Sequence, residues 1–141
     1  MAGFSRIKGS DRGSDSLIIS SLALDVGDMV TFDRANEKVI KATSSSSSED
    51  VAGIVVAAST TSDTTVLVQK VVEGDEYTVD TNANSATTHT YQRMVLTDEN
   101  TVDNTGTDST SDAAVVMQMG IIGAVGDKKI RVRLVTKQDR A

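Results

Sequence analysis

Lys129-Ile130-Arg131-Val132-Arg133-Leu134 alternates charged and hydrocarbon side chains without a break. Residues two apart on a strand share a face, so Ile130, Val132 and Leu134 turn to a core while Lys129, Arg131 and Arg133 turn away from it. The same period of two runs through Glu76-Tyr77-Thr78-Val79-Asp80, and Thr65-Val66-Leu67-Val68-Gln69 is a Val-rich strand. Gly53-Ile54-Val55-Val56-Ala57 is instead continuously apolar, the pattern of a strand covered on both faces. Met29-Val30-Thr31-Phe32 and Lys38-Val39-Ile40-Lys41 flank the polar Arg34-Ala35-Asn36-Glu37 and read as a hairpin. Tyr91 to Thr97 and the glycine-punctuated Val115 to Val125 complete the predicted strands.

The connections carry turn chemistry. Asp25-Val26-Gly27-Asp28 and Glu73-Gly74-Asp75 are turns, 44–48 is a run of serines, and 81–90 is polar throughout. Residues 98–113 form a long Asp/Asn/Thr/Gly stretch predicted as a loop with one short hairpin inside it. Composition points the same way. The 141 residues suffice for one domain with a core, and Val outnumbers Leu by 18 to 6, with Ser and Thr abundant. No window favours a long helix. The predicted fold is all-β, a small barrel or sandwich over 22–141, preceded by an arm over 1–21 that is rich in Gly, Ser, Asp and bases and is expected to be mobile.

The two halves resemble each other. Met29–Asp33 matches Met94–Asp98, Gly53–Ala57 matches Gly120–Ala124, and Thr65–Val68 matches Lys129–Val132, giving pseudo-repeats over about 26–72 and 91–136. Neither half is expected to cover its own apolar face, so the two are expected to close on each other. Gly53 and Gly120 each open an apolar strand, where a glycine permits a bulge or a close backbone approach. Together with the turn glycines Gly27, Gly74 and Gly123 they are read as structural.

The chain has no Cys, Pro or Trp, which removes disulfides, thiolate metal sites and cysteine nucleophiles. Leu17 to Leu24 is short, interrupted by Ser20 and Ser21, and preceded by polar residues, so neither a bilayer span nor a secretory signal is expected. A net charge of −6 argues against nucleic acid as the main partner. Between Asp63 and Asp112 stand ten acids and two bases, and from Lys128 to Ala141 six bases and one acid. That asymmetry suits self-association or an oriented protein partner; a solvated surface of uneven charge is the alternative.

No reactive constellation is legible. His89, the single histidine, lies in a polar loop without a nucleophile motif around it, and is expected to be exposed. Asp98, Glu99, Asp103 and Asp108 lack the spacing of a calcium loop. Glu73, Asp75 and Glu76 crowd one turn, with only Phe4, Phe32, Tyr77 and Tyr91 as aromatics in the chain. The expectation is a protein without catalytic residues, cofactor or metal.

The succession of Leu24 to Val30 (Leu-x-Val-Gly-Asp-x-Val), Ala52 to Val55, Gly74 to Tyr77, Gly120 to Ala124 and Ile130 to Leu134 resembles the small capsid decoration (cement) proteins of tailed bacteriophages and, more distantly, the head-decoration proteins of lambda-type phages. The likeness covers about 22–135, and the 98–113 loop has no counterpart in it. It implies a compact β-barrel or β-tulip that forms a homotrimer, made in the host cytoplasm and seated on the outer capsid surface, that stabilises the shell by bridging major capsid protein subunits, without nucleic-acid or membrane contacts. The arm, through Phe4, Arg6, Ile7, Lys8 and Arg12, is then the candidate capsid-binding element, and Lys129, Arg131 and Arg133 are candidate oligomer or capsid contacts. A tail-tube or head–tail connector subunit is the structural alternative, and a carbohydrate-binding β module the alternative of another class.

Overall fold

The structure is a computed structural model that describes residues 3–10, 12–105, 108–109 and 114–140, the side chain of Arg140 excepted. Parts of the expected arm (1, 2, 11) and of the expected loop (106–107, 110–113) lie outside the described residues. The strands are β1 (Ser5–Lys8), β2 (Asp15–Ile18), β3 (Met29–Asp33), β4 (Lys38–Lys41), β5 (Val51–Val55), β6 (Thr65–Gln69), β7 (Glu76–Thr81), β8 (Arg93–Met94), β9 (Leu96–Asp98), β10 (Thr101–Val102), β11 (Val116–Ile121) and β12 (Lys129–Leu134). Single 3-10 turns at Ser48–Asp50 and Thr87–His89 and a one-turn helix α1 (Lys137–Arg140) are the remaining elements. The protein is all-β, with one nearly closed barrel-like sheet and a second sheet.

The barrel-like sheet runs β8-β11-β12-β7-β10-β9. Its two ends, β8 and β9, are separated only by Val95, so one stretch of chain pairs with β11 on one side and β10 on the other. That continuity rolls the sheet shut. β7 and β10 pair in parallel, and β1 takes the rest of that edge of β7. The alternation in β12 buries Ile130 and Val132 and leaves Lys129, Arg131 and Arg133 half-buried on the other face. The second sheet runs β2-β6-β5-β3-β4, and its end strands β2 and β4 approach each other without pairing.

Each sheet encloses its own apolar cluster. Val79, Leu96, Val102, Val116, Ile130 and Val132 centre the first. Leu24, Val30, Val39, Val55, Val66 and Val68 centre the second. Met29, Ala42 and Ile54 reach across from the five-stranded sheet into the first cluster, and the Met29 amide donates to the Glu99 carbonyl at 2.7 Å. The halves therefore meet through a few shared side chains, whereas the pattern alone suggested that neither could cover its own face. Rolling is the reason: a strongly curved sheet covers its inner face by itself.

The matched segments keep their pairing order. β3 pairs with β5 and β5 with β6, as β8 pairs with β11 and β11 with β12. Register is not kept. Met29 faces Ile54, but Met94 faces Val116 and not Ile121, the counterpart of Ile54. Both glycines of the match sit beside bulges, at Val30/Thr31 against β5 and at Gln118/Gly120 in β11. At Gly53 (φ 157°) a Cβ would stand 2.5 Å from the Gln69 carbonyl oxygen, so the close approach of β5 to β6 requires glycine there.

Candidate interaction surface

The leading segment is a pair of strands. Ser5 faces Thr78 and Arg6 faces Tyr77 on one sheet; Asp15 to Ile18 run along Val68 to Thr65 on the other. Within the described residues this replaces the expected mobile arm, and the cause is visible at each side chain. Phe4 is 3% exposed, stands edge-on to Tyr77 with ring centroids 6.2 Å apart, and its amide donates to the Gly27 carbonyl at 2.8 Å. Arg6 donates to Gln69 Oε1 at 2.9 Å, and Lys8 lies 3.4 Å from Glu76. Arg12 grips Asp75 with both terminal nitrogens, at 2.5 and 3.1 Å, and reaches the Lys70 carbonyl at 3.0 Å. Gln69 Nε2 returns a bond to the Arg12 carbonyl at 2.8 Å. Of the five residues expected to seize a partner, only Ile7 and Lys8 present their side chains to solvent, and Phe4, Arg6 and Arg12 do not.

Asp75 is the centre of this arrangement, itself 3% exposed. Burial pushes its carboxyl up, but the Arg12 hydrogen bonds, the Val72 amide at 2.9 Å and the charges of Arg12 and Arg6 outweigh that, and it sits below the ordinary carboxylate range. The neighbouring Tyr77 hydroxyl is buried without a partner; burial, then the Asp75 charge, pushes it up to about 12.

The basic row on β12 is also met within the chain. Lys129 lies 3.3 Å from Asp80, and Arg131 lies 3.2 Å from Glu76 and donates to the Met119 carbonyl at 3.0 Å. Arg133 forks Asp139 at 2.8 and 2.9 Å. The acidic middle and the basic end, far apart in sequence, are thus paired across β7 and β12, while Arg133 is met by the one acid of its own end. Asp139 is held down at about 2, chiefly by the Arg133 hydrogen bonds. It also closes a capping box: Thr136 N donates to Asp139 Oδ2 at 2.8 Å and Asp139 N to Thr136 Oγ1 at 3.3 Å.

What the strand pattern did not single out is the outer side of the five-stranded sheet. Ile18 (61% exposed), Leu67 (44%) and Val56 (38%) lie together there: Ile18 and Leu67 are on the same face of the β2–β6 pair, and the Val56 amide donates to the Leu67 carbonyl. Between the unpaired edges of β2 and β4 runs a groove of about 380 Å³ lined by Leu17, Ile18, Phe32 and Val39, with the Arg34 guanidinium 5.4 Å above the Phe32 ring. An apolar residue on a solvent face looks in sequence like any other member of a strand, so nothing in the alternation marks it.

His89 is half-buried on its 3-10 turn, not exposed, and its Nδ1 is shielded and unpaired. Among the described residues no group of three His, Asp or Glu side chains is placed to hold a metal ion, and no helix is long and apolar enough to cross a membrane. Compared with protein-family models and with curated proteins, the chain matches none.

Proposed function

We propose that this protein is a virion structural subunit that binds the outer surface of a tailed-phage capsid and stabilises it by bridging major capsid protein subunits, acting as a homotrimer made in the host cytoplasm. The observation that carries the reading is the free edge of β2, with Ile18 on it and Leu67 and Val56 beside it. An unpaired strand edge beside exposed hydrocarbon is an aggregation hazard unless something covers it. A strand of a shell protein adds to such an edge by backbone hydrogen bonds, with Ile18 and the neighbouring groove accepting its alternate side chains. The motif resemblance over 22–135 supports the same role. With Phe4, Arg6 and Arg12 engaged inside the chain, the docking element is this edge and not the leading bases. Each contact is weak, but copies that bridge several subunits raise the cost of losing any one of them.

Co-sedimentation with expanded and unexpanded shells tests this. The protein is expected to pellet with expanded shells and to raise the temperature at which they open. Ile18→Lys places a charge on the edge strand and is expected to abolish pelleting while leaving the circular dichroism of the protein unchanged. Equal pelleting of wild type and Ile18→Lys, or none with either shell, refutes the proposal.

A further inference from the structure

Residues 3–10 and 12–19 lie on the molecule as a strap, β1 against one sheet and β2 against the other. The strap includes Ile19, whose amide donates to the Thr64 carbonyl at 3.0 Å. The body begins at Leu22, whose carbonyl accepts from Ser59 Oγ at 2.7 Å, and Leu24 and Ser59 then exchange backbone hydrogen bonds. Only Ser20 and Ser21 stand between strap and body. Both are exposed, and Ser21 holds φ at 50°, a left-handed conformation that a residue with a Cβ adopts at a cost. The partners of the strap, among them Gly27, Gln69, Asp75, Glu76 and Tyr77, all belong to the body. None of these contacts requires that strap and body be the same molecule.

We infer that the strap is exchanged between copies of this chain, β1 and β2 of one copy lying on β7 and β6 of the next. Straightening the chain at Ser20 and Ser21 frees Ser21 from the left-handed region, and every contact of the strap is remade unchanged in the neighbour. The receiving site is selective for this strap. A Cβ at Gly9 would collide with the Asp75 carboxylate, Arg12 supplies the cation that buried Asp75 requires, and Phe4 closes the apolar cluster against Tyr77. A copy with an empty site would leave Asp75 without Arg12 and the apolar cluster without Phe4, so the exchange runs around a closed ring in which every site is filled. The inference goes beyond the capsid role and does not depend on what the outer edge of β2 docks against.

The chain has no native cysteine, which makes the test direct. Ser16 and Leu67 are register partners with exposed side chains, and Ser5 and Thr78 are partners on the other sheet. The doubly substituted chains Ser16→Cys/Leu67→Cys and Ser5→Cys/Thr78→Cys are oxidised over a concentration series, fractionated by size, and run on a denaturing gel without reductant. Exchange predicts that both pairs join separate chains covalently in the oligomeric fraction. Ser21→Gly, which relieves the closed joint, is expected to raise the dissociation constant of the oligomer about tenfold or more. A protein that is monomeric at every concentration, or oligomers whose cross-links stay within single chains, overturns the inference.

Discussion

Asp75 shows how much of this fold hangs on individual side chains. Its carboxylate is buried, accepts from the Val72 amide and is forked by Arg12, so neutralising it removes a charge-assisted pair and not merely a surface ion. Asp75→Asn is expected to lower stability by about 2 kcal/mol in urea titration at neutral pH. The pH dependence has a definite sign. A carboxyl held below its unfolded value of 3.8 stabilises the fold fully above that pH and loses the contribution as pH falls through the folded value. The acid limb of the wild-type stability curve is therefore expected to be steeper than that of Asp75→Asn. Phe4 supplies a second measurement at this scale. A ring 3% exposed and packed on Tyr77 is core, and Phe4→Ala is expected to cost about 3 kcal/mol; a cost near zero would restore the picture of a loose arm. At Gly53 the neighbouring Gln69 carbonyl is backbone and cannot swing aside, so Gly53→Ala is expected to cost about 1–3 kcal/mol in the same titration.

Elements divide into those held by pattern and those held by partners. β7 and β12 alternate cleanly, and the alternation in sequence is the alternation in burial. β1 and β2 carry no such period, because an edge strand with a single neighbour need not bury every second side chain; Ile18 faces out while Phe4, just before β1, faces in. Helix α1 is the extreme case. Four residues do not hold a helix by propensity, and this one stands because Asp139 binds Arg133 and Thr136 while the Asp139 carbonyl accepts from Arg93 at 2.8 Å. Asp139→Asn is expected to cost about 2 kcal/mol at neutral pH, from a carboxyl lowered from 3.8 to about 2, with the difference from wild type disappearing as pH falls through that interval. Tyr91 marks an error at element scale: the expected strand begins at β8, and Tyr91 itself sits in a turn at φ 67°.

Across the whole molecule, two apolar clusters share a narrow bridge through Met29, Ala42 and Ile54. Amides of β7 and β12, with Val79, Ile130 and Val132 at 0–1% exposure and β7 paired on both sides, are expected to exchange with deuterium most slowly, and those of β1 and β2 faster through local release of the strap. Uniform protection across β1, β2, β7 and β12 would contradict that gradient. By itself the sequence determined the β class, most strands, the turns and the glycines beside the bulges, because period, β-branching and turn chemistry act between near neighbours in the chain. Tertiary structure alone decided that each sheet rolls around its own core, that the leading bases and the β12 row find Asp75, Glu76 and Asp80, and that Ile18, Leu67 and Val56 stay uncovered. Charge pairing and burial of that kind depend on which distant strands become neighbours, and register, which settles it, is written in no single segment.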